Sequence, residues 1–149
     1  MSFLRSMDIS ASALSATRLR MDIIAENMAN INTTRTENGE PYRRKYVVFE
    51  EMSGGGRPGR TFESFFNRSR ENQVGGVRVA QVGRDMSEFN IDFNPGHPDA
   101  DENGYVRVPN VDVVQEMTDM MSAFRAYEAN ITALNTMKDM VVRTLEIGR

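Results

Sequence analysis

The most chemically suggestive residues in this chain are crowded into one acidic run, Asp99-Ala100-Asp101-Glu102-Asn103-Gly104. The run matches the first half of a calcium-loop pattern, D-x-[DN]-x-[DN]-G. Such a loop needs a bidentate glutamate at its twelfth position, and Asn110 stands there instead. Pro95, Gly96 and Pro98 come just before the run, so no helix leads into it. It reads as an acidic structural turn, with a weak calcium site as the alternative. His97, the only histidine, belongs to the same turn. Zinc takes three or four Cys, His or carboxylate ligands, and a lone histidine in a chain without cysteine cannot assemble them. As a general base, His97 has no serine or cysteine motif to activate.

Two other stretches invite a chemical reading. Gly54 to Gly59 is glycine-rich but lacks the G-x-x-x-x-G-K-[ST] of a phosphate loop. Arg43, Arg44 and Lys45, flanked by Tyr42 and Tyr46, resemble a nucleic-acid-binding strand with stacking aromatics. The same residues fit the wet face of an edge strand, where charge discourages aggregation, and that is the preferred reading. A net charge of -3 and a pI near 5.3 also argue against a general nucleic-acid binder. No constellation supports catalysis, so no enzyme activity, cofactor, metal or small-molecule substrate is expected.

The elements around these residues say more. Met7, Leu14, Met21 and Met28 recur every seven residues, joined by Phe3, Ile24 and Ile31. Ser10 and Thr17 are the small members of that stripe. Toward the other end, Met117, Met120, Phe124, Tyr127, Ile131, Leu134, Val141 and Leu145 step by threes and fours, missing one beat at Lys138. Such spacing lays apolar side chains along one side of a helix. The first helix is expected over Ser2–Ile31, ended by the turn-forming run Asn32 to Gly39. The second is expected from Asn110 or Asp112 to Ile147, with Asp112 and Gln115 as a capping box and Asn110 as an equally good cap. Strands are expected over 41–52, 61–66, 76–83, 88–93 and 105–109, separated by the flexible loop 53–60.

The expected class is therefore α+β, with long terminal helices paired as an α-helical coiled coil and a small β-rich middle. The expected division is 1–32, 33–110 with an insertion at 53–84, and 111–149. Helices this long cannot be buried in so small a domain, and their leftover apolar faces need partners. Eleven methionines, concentrated in the two stripes, suit contacts made in several settings. No stretch has the roughly 18 to 20 uninterrupted apolar residues of a membrane span. Asp8, Arg18, Arg20, Asp22 and Glu26 interrupt any signal-peptide layout, so export would use a route without a cleaved signal. The absence of cysteine suits a chain threaded unfolded into an oxidising space, though a cytosolic protein can also lack it. Charge is segregated: residues 35–84 hold ten Lys/Arg against six acids, and 85–104 hold six acids and no Lys/Arg. Complementary patches of this kind suit head-to-tail self-contact, and solvated loop charges are the alternative.

Two segments go beyond periodicity. Asn27-Met28-Ala29-Asn30-Ile31-Asn32-Thr33 closes the first helix, and Arg125-Ala126-Tyr127-Glu128-Ala129-Asn130 lies in the second. They resemble the "ANxNT" and "RAYEAN" signatures of the bacterial flagellar axial proteins, the rod and hook family. Gly96 to Val106 with Pro109-Asn110-Val111, and Thr33 to Thr36 with Pro41 to Arg44, resemble the proximal-rod branch in particular. Phe124 departs from the pattern, which has a smaller residue there. The resemblance implies a structural subunit of the basal-body rod, a periplasm-crossing shaft that transmits torque. It implies export through the flagellar type III apparatus and assembly with copies of itself, other rod proteins and the membrane-ring base. On this reading, the end stripes are the subunit interface and the terminal helices fold on docking. Leu134→Asp or Ile24→Asp should then block incorporation and leave the middle intact. Another axial protein, or at a further remove a coiled-coil secretion chaperone, is the alternative.

Overall fold

The computed structural model describes residues 3–52 and 75–147. The expected strand 61–66 and the glycine-rich loop 53–60 lie outside these. Helix α1 spans Phe3–Ala29 and helix α2 spans Val113–Ile147, with four strands between them: β1 Lys45–Glu51, β2 Val77–Arg84, β3 Asn90–Phe93 and β4 Tyr105–Val108. The class is α+β, as the sequence patterns imply.

Three hydroxyls of α1 are satisfied within the helix. Ser12, Ser15 and Thr17 donate back to the carbonyls of Ile9, Ala11 and Ala13, so these polar residues cost little at a close-packed surface. The α-helix stops at Ala29, two residues short of expectation. Asn30 donates from both its backbone and its side-chain nitrogen to the Glu26 carbonyl, which closes the last turn. The Thr33 hydroxyl then donates to Asn30 Oδ1, and the Tyr42 N–H donates to the Thr33 carbonyl. At α2, Asp112 is the cap: its Oδ1 accepts from the N–H groups of Val114 (2.8 Å) and Gln115 (3.3 Å). Asn110 is not a cap. Its side chain instead ties three loops together, accepting from Arg44 N and donating to the Asp85 carbonyl and the Ser87 hydroxyl.

The helices run antiparallel. Asn27 meets Glu116 at 3.1 Å and Arg20 meets Asp119 at 3.7 Å, so stepping back along α1 steps forward along α2. At 1.5 Å per residue α1 is about 40 Å long and α2 about 52 Å, so α2 overhangs its partner. Among residues 5–29 of α1, Ser10, Ala16, Ile24 and Asn27 are buried, and Met7, Leu14, Met21 and Met28 are half-buried beside them.

Strands β1 and β2 form an antiparallel hairpin with a bulge between Val48 and Phe49. It lies along α1, where the Val77 N–H donates to Ser12 Oγ at 3.1 Å. Strands β3 and β4 form a second hairpin, in which Ile91 faces Arg107 and Phe93 faces Tyr105. The expected strand 88–93 thus finds its partner in 105–108. Phe93 and Tyr105 pack edge to face at 5.2 Å between ring centres.

Candidate assembly interface

One polar cluster joins the two helices to β1. Asn27 is 1% exposed and uses its full hydrogen-bonding capacity. Its Oδ1 accepts from the Tyr42 hydroxyl and Lys45 N, both at 2.9 Å. Its Nδ2 donates to the Lys45 carbonyl at 2.8 Å and to Glu116 Oε2 at 3.1 Å. Glu116 is fully buried, and its other oxygen accepts from Arg44 Nε at 2.5 Å. Arg44 also reaches Asp119, and Lys45 pairs with Glu26. A buried carboxylate is tolerated because it is paired and hydrogen-bonded on both oxygens. Burial, together with the Glu26 and Glu116 carboxylates, pushes the Tyr42 phenol up to about 12. Beneath the cluster, the N–H and hydroxyl of Ser87 hold the Asp85 carboxyl below its usual value.

This arrangement corrects the edge-strand expectation. Arg44 and Lys45 do not line a wet strand face; Arg44 is pinned to α2 by the buried Glu116 carboxylate, and Lys45 pairs with the partly exposed Glu26 on α1. Arg43 lies with its guanidinium 4.1 Å from the centre of the Phe89 ring.

The stripe expected on α2 separates into two faces. Glu116, Met120, Ala123, Tyr127, Asn130, Leu134, Met137 and Val141 are buried or half-buried toward α1, spaced by threes and fours. Met120, Tyr127, Leu134 and Val141 belong to this seam. Met137 fills the beat that Lys138 leaves empty, and Lys138 is exposed. Met117, Phe124 and Ile131 each lie one residue out of phase, a turn of about 100° around the helix, and are exposed. With Val114 and Met121 they form an outer apolar face, where Phe124 is 58% and Val114 is 73% exposed. Leu145 follows the seam line, but it lies on the overhang and is exposed as well. On α1, Ile24 is buried and Ile31 half-buried.

The two signatures occupy different settings. Asn27, Asn30 and Thr33 build the helix end and the polar cluster, while Ala29 and Asn32 stand exposed beside them. In α2, Tyr127 and Asn130 face the seam, and Arg125, Ala126, Glu128 and Ala129 are exposed. The first signature is thus largely architectural, and most of the second lies on open surface.

The acidic turn uses Asp101 to close itself and Asp99 to hold the loop after α1. Asp101 Oδ1 accepts from Asn103 N and Tyr105 N, and Gly104 takes a φ of +82° that favours glycine. Asp99 accepts from the Thr34 hydroxyl, and its own N–H donates to His97 Nδ1. Among the described residues no cluster of three His, Cys, Asp or Glu is disposed to hold a metal, and no helix is long and apolar enough to cross a membrane. The cluster around Asn27 and Glu116 escapes sequence reasoning, because a buried carboxylate on a helical seam looks like a solvated charge. Its one signal is that Glu116 stands four residues ahead of Met120, on the seam itself.

Comparison with known proteins agrees with this geometry. Residues 7–35 match the family model "Flagella basal body rod protein", and residues 102–147 match "Flagellar basal body rod FlgEFG protein C-terminal". The matched segments hold nearly all of α1 with its closing turn, and β4 and α2. The whole chain aligns with the whole of "Flagellar basal-body rod protein FlgC" from Bacillus subtilis at 44% identity. Relatives of the same name from Yersinia enterocolitica and Salmonella typhimurium align end to end at 43% and 41%. With likeness of that extent running through both helices and the strands between them, the chain belongs to the FlgC family of flagellar basal-body rod proteins.

Proposed function

We propose that this chain is a structural subunit of the proximal part of the flagellar rod, where it polymerises with other rod proteins into the shaft that transmits torque. The observation that carries the reading is the outer face of α2. Val114, Met117, Met121, Phe124 and Ile131 form an apolar stripe that the described residues leave uncovered. Burying such residues stabilises an interface by about 1.5–3 kcal/mol per large side chain. A helical stripe of this width suits another helix, packed as in a coiled coil.

The seam with α1 is a different surface from this stripe. A contact that joins different surfaces on neighbouring copies does not close on itself, and repeated it generates a helical tube. On this reading residues 1–32 and 111–149 form the wall of the tube, and 33–110 stiffens it from outside. The lack of cysteine in this sequence fits export through the flagellar secretion channel into the periplasmic space, with the membrane-ring base as its first neighbour. The role is structural and needs no substrate or cofactor.

With Ile24 buried and Leu134 half-buried in the helix seam, a different test is appropriate. An aspartate at either position would damage the chain's own helix pair before it damaged any interface. Phe124→Asp is the cleaner probe, since that ring is mostly exposed. Cells carrying it as their only copy should fail to swim and should show no rod beyond the membrane ring by electron microscopy. The purified variant should keep the circular dichroism and melting of the parent. Normal rods in those cells would refute the assignment of this face.

A further inference from the structure

Both long helices carry charges that their own fold leaves unmatched. On α1, Arg20 pairs with Asp119 and Glu26 with Lys45. Asp8, Arg18 and Asp22 are exposed and enter no ion pair among the described residues. On α2 the same is true of Arg125, Glu128 and Lys138.

Each set shares one face. Asp8, Arg18 and Asp22 are in line along α1 by steps of three and four, with the short, exposed side chains of Ser15, Ala25 and Ala29 in the same line. That line lies on the opposite side of the helix from Ser10, Ile24 and the seam. On α2, Glu128 and Lys138 stand in line with Met117, Met121, Phe124 and Ile131, so they interrupt the outer apolar stripe, and Arg125 flanks it.

The two faces match in one direction and one register. Asp8 precedes Arg18 by ten residues, and Glu128 precedes Lys138 by ten, the acid first in both. A parallel alignment sets acid on acid and base on base. An antiparallel one sets Arg18 level with Glu128 and Asp8 level with Lys138, and brings Asp22 beside Arg125. In that register Met117 meets Ala29, Met121 meets Ala25 and Ile131 meets Ser15, so bulk on one helix faces room on the other. From Met117 to Lys138 the overlap runs about 32 Å. Asp139, exposed beside Lys138, weakens the Asp8 pair, so Arg18 and Asp22 hold the register.

These faces cannot meet within one chain, because α1 turns its buried side to α2 and this line away from it. Symmetry then selects the neighbour's helix. In a polar tube all copies point the same way, so α2 runs parallel to a neighbour's α2 and antiparallel to its α1. Two α2 helices can match Glu128 with Lys138 in antiparallel, but that contact closes as a dimer and leaves Asp8, Arg18 and Asp22 unmatched.

We propose that the outer stripe of α2 docks antiparallel on the outward face of α1 of a second copy, with Glu128 against the neighbour's Arg18. This rests on the reading of the chain as a rod subunit, and the test separates the two.

Because the chain has no cysteine, introduced cysteines are its only thiols. Ala11 and Asn135 fall at one level of the register, and both are exposed. Cells would carry, as their only copy, a chain with Ala11→Cys and Asn135→Cys, and swimming reports that it is built into rods. A short bis-maleimide added to isolated basal bodies should then link this chain into a ladder of dimers, trimers and higher species. Either cysteine alone should give no ladder. Ala11→Cys with Ser122→Cys, about 20 Å along α2 from the expected level, should give at most a fifth of the linking. Adding Arg18→Glu to the first pair should cut the linked fraction about fivefold, and Glu128→Arg in the same chain should restore it. Cells that swim but link no more than the single-cysteine chains overturn this contact and leave the rod assignment standing. So does an Asn135→Cys chain that links by itself, the mark of α2 against α2. Basal bodies that lack the chain altogether refute the rod reading instead. If the first cysteine pair prevents swimming, Ser15→Cys with Thr132→Cys, at the adjacent level, takes its place in the same experiment.

Discussion

Changing Asn27 to aspartate alters almost nothing in shape and nearly everything in the cluster's bonding. The Oδ1 side still accepts from Tyr42 and Lys45 N. The other side, which donates to the Lys45 carbonyl and Glu116 Oε2, becomes an acceptor facing two acceptors. Each buried group left unpaired costs about 1–3 kcal/mol. Two carboxylates 3.1 Å apart repel by about 5 kcal/mol at an effective dielectric constant of ~20. Sharing a proton between them, and the nearby Arg44 guanidinium, relieve part of this. A net loss of about 4 kcal/mol near neutral pH follows. For a chain of this size each kcal/mol lowers the melting temperature by about 2–4 °C, so a drop of roughly 8–16 °C is expected.

The pH dependence identifies the cause. In the variant, folding raises the pKa of the pair formed by the new carboxyl and Glu116, so the folded state binds more protons than the unfolded one. Stability is then retained below the unfolded carboxylate range, near pH 4, and falls as pH rises through the raised folded value. Adding Glu116→Gln restores a donor opposite the new carboxylate and should recover at least about 1 kcal/mol relative to additivity. Thermal and urea melts of the parent, the two single variants and the double variant across mildly acidic to neutral pH provide the measurement. An Asn27→Asp chain that melts with the parent throughout that range would refute the claim that this cluster holds the helices to β1.

Two further outcomes follow from the fold. Because the Tyr42 pKa is raised to about 12, its contribution to stability is complete below the unfolded value of about 10 and is lost as pH rises between the two. Tyr42→Phe should therefore flatten the alkaline limb of the melting curve, at a cost near neutrality of about 1 kcal/mol for the lost hydrogen bond. Gly83 faces Tyr46 across the hairpin, and a Cβ there would come within 2.5 Å of the Tyr46 ring. Gly83→Ala should displace that half-exposed ring and cost about 1 kcal/mol, and the penalty should vanish on a Tyr46→Thr background.

Apolar spacing made both long helices legible, because an extended amphipathic pattern leaves little choice of element. Phase within the pattern was harder to read. The expected line from Met117 and the line from Glu116 share Met120, Tyr127, Leu134 and Val141, and at the alternate beats only the second, through Glu116, Ala123, Asn130 and Met137, meets α1. The first contains more large apolar residues, so spacing alone favoured it. Hydrophobicity measures how much a side chain gains from cover, and it does not say whether the cover comes from the same chain. Ser10 and Ala16 are more deeply buried than Met7 or Leu14, because close approach of the helices rewards the absence of bulk. The polar cluster was illegible for another reason. Asn27 was visible as part of a signature, but its partners come from Tyr42, Lys45 and Glu116, and only folding brings these together.

The polarity of that cluster bears on what a rod subunit must do. An apolar joint at the same place would tolerate small slides of α1 against α2, since apolar packing is non-directional. A side chain with four directed bonds does not tolerate them. One residue of slippage would orphan Glu116 and the Lys45 carbonyl together, and the low local dielectric makes that expensive. The offset between the helices sets where the outer stripe of Met117, Phe124 and Ile131 stands relative to the β3–β4 lobe, because Arg44 and Asn110 tie that lobe's base to the same cluster. If the outer stripe of α2 meets a neighbour, as proposed, an offset of one residue repeated between copies along a tube would change the pitch at every step, so stiffness matters most at this joint.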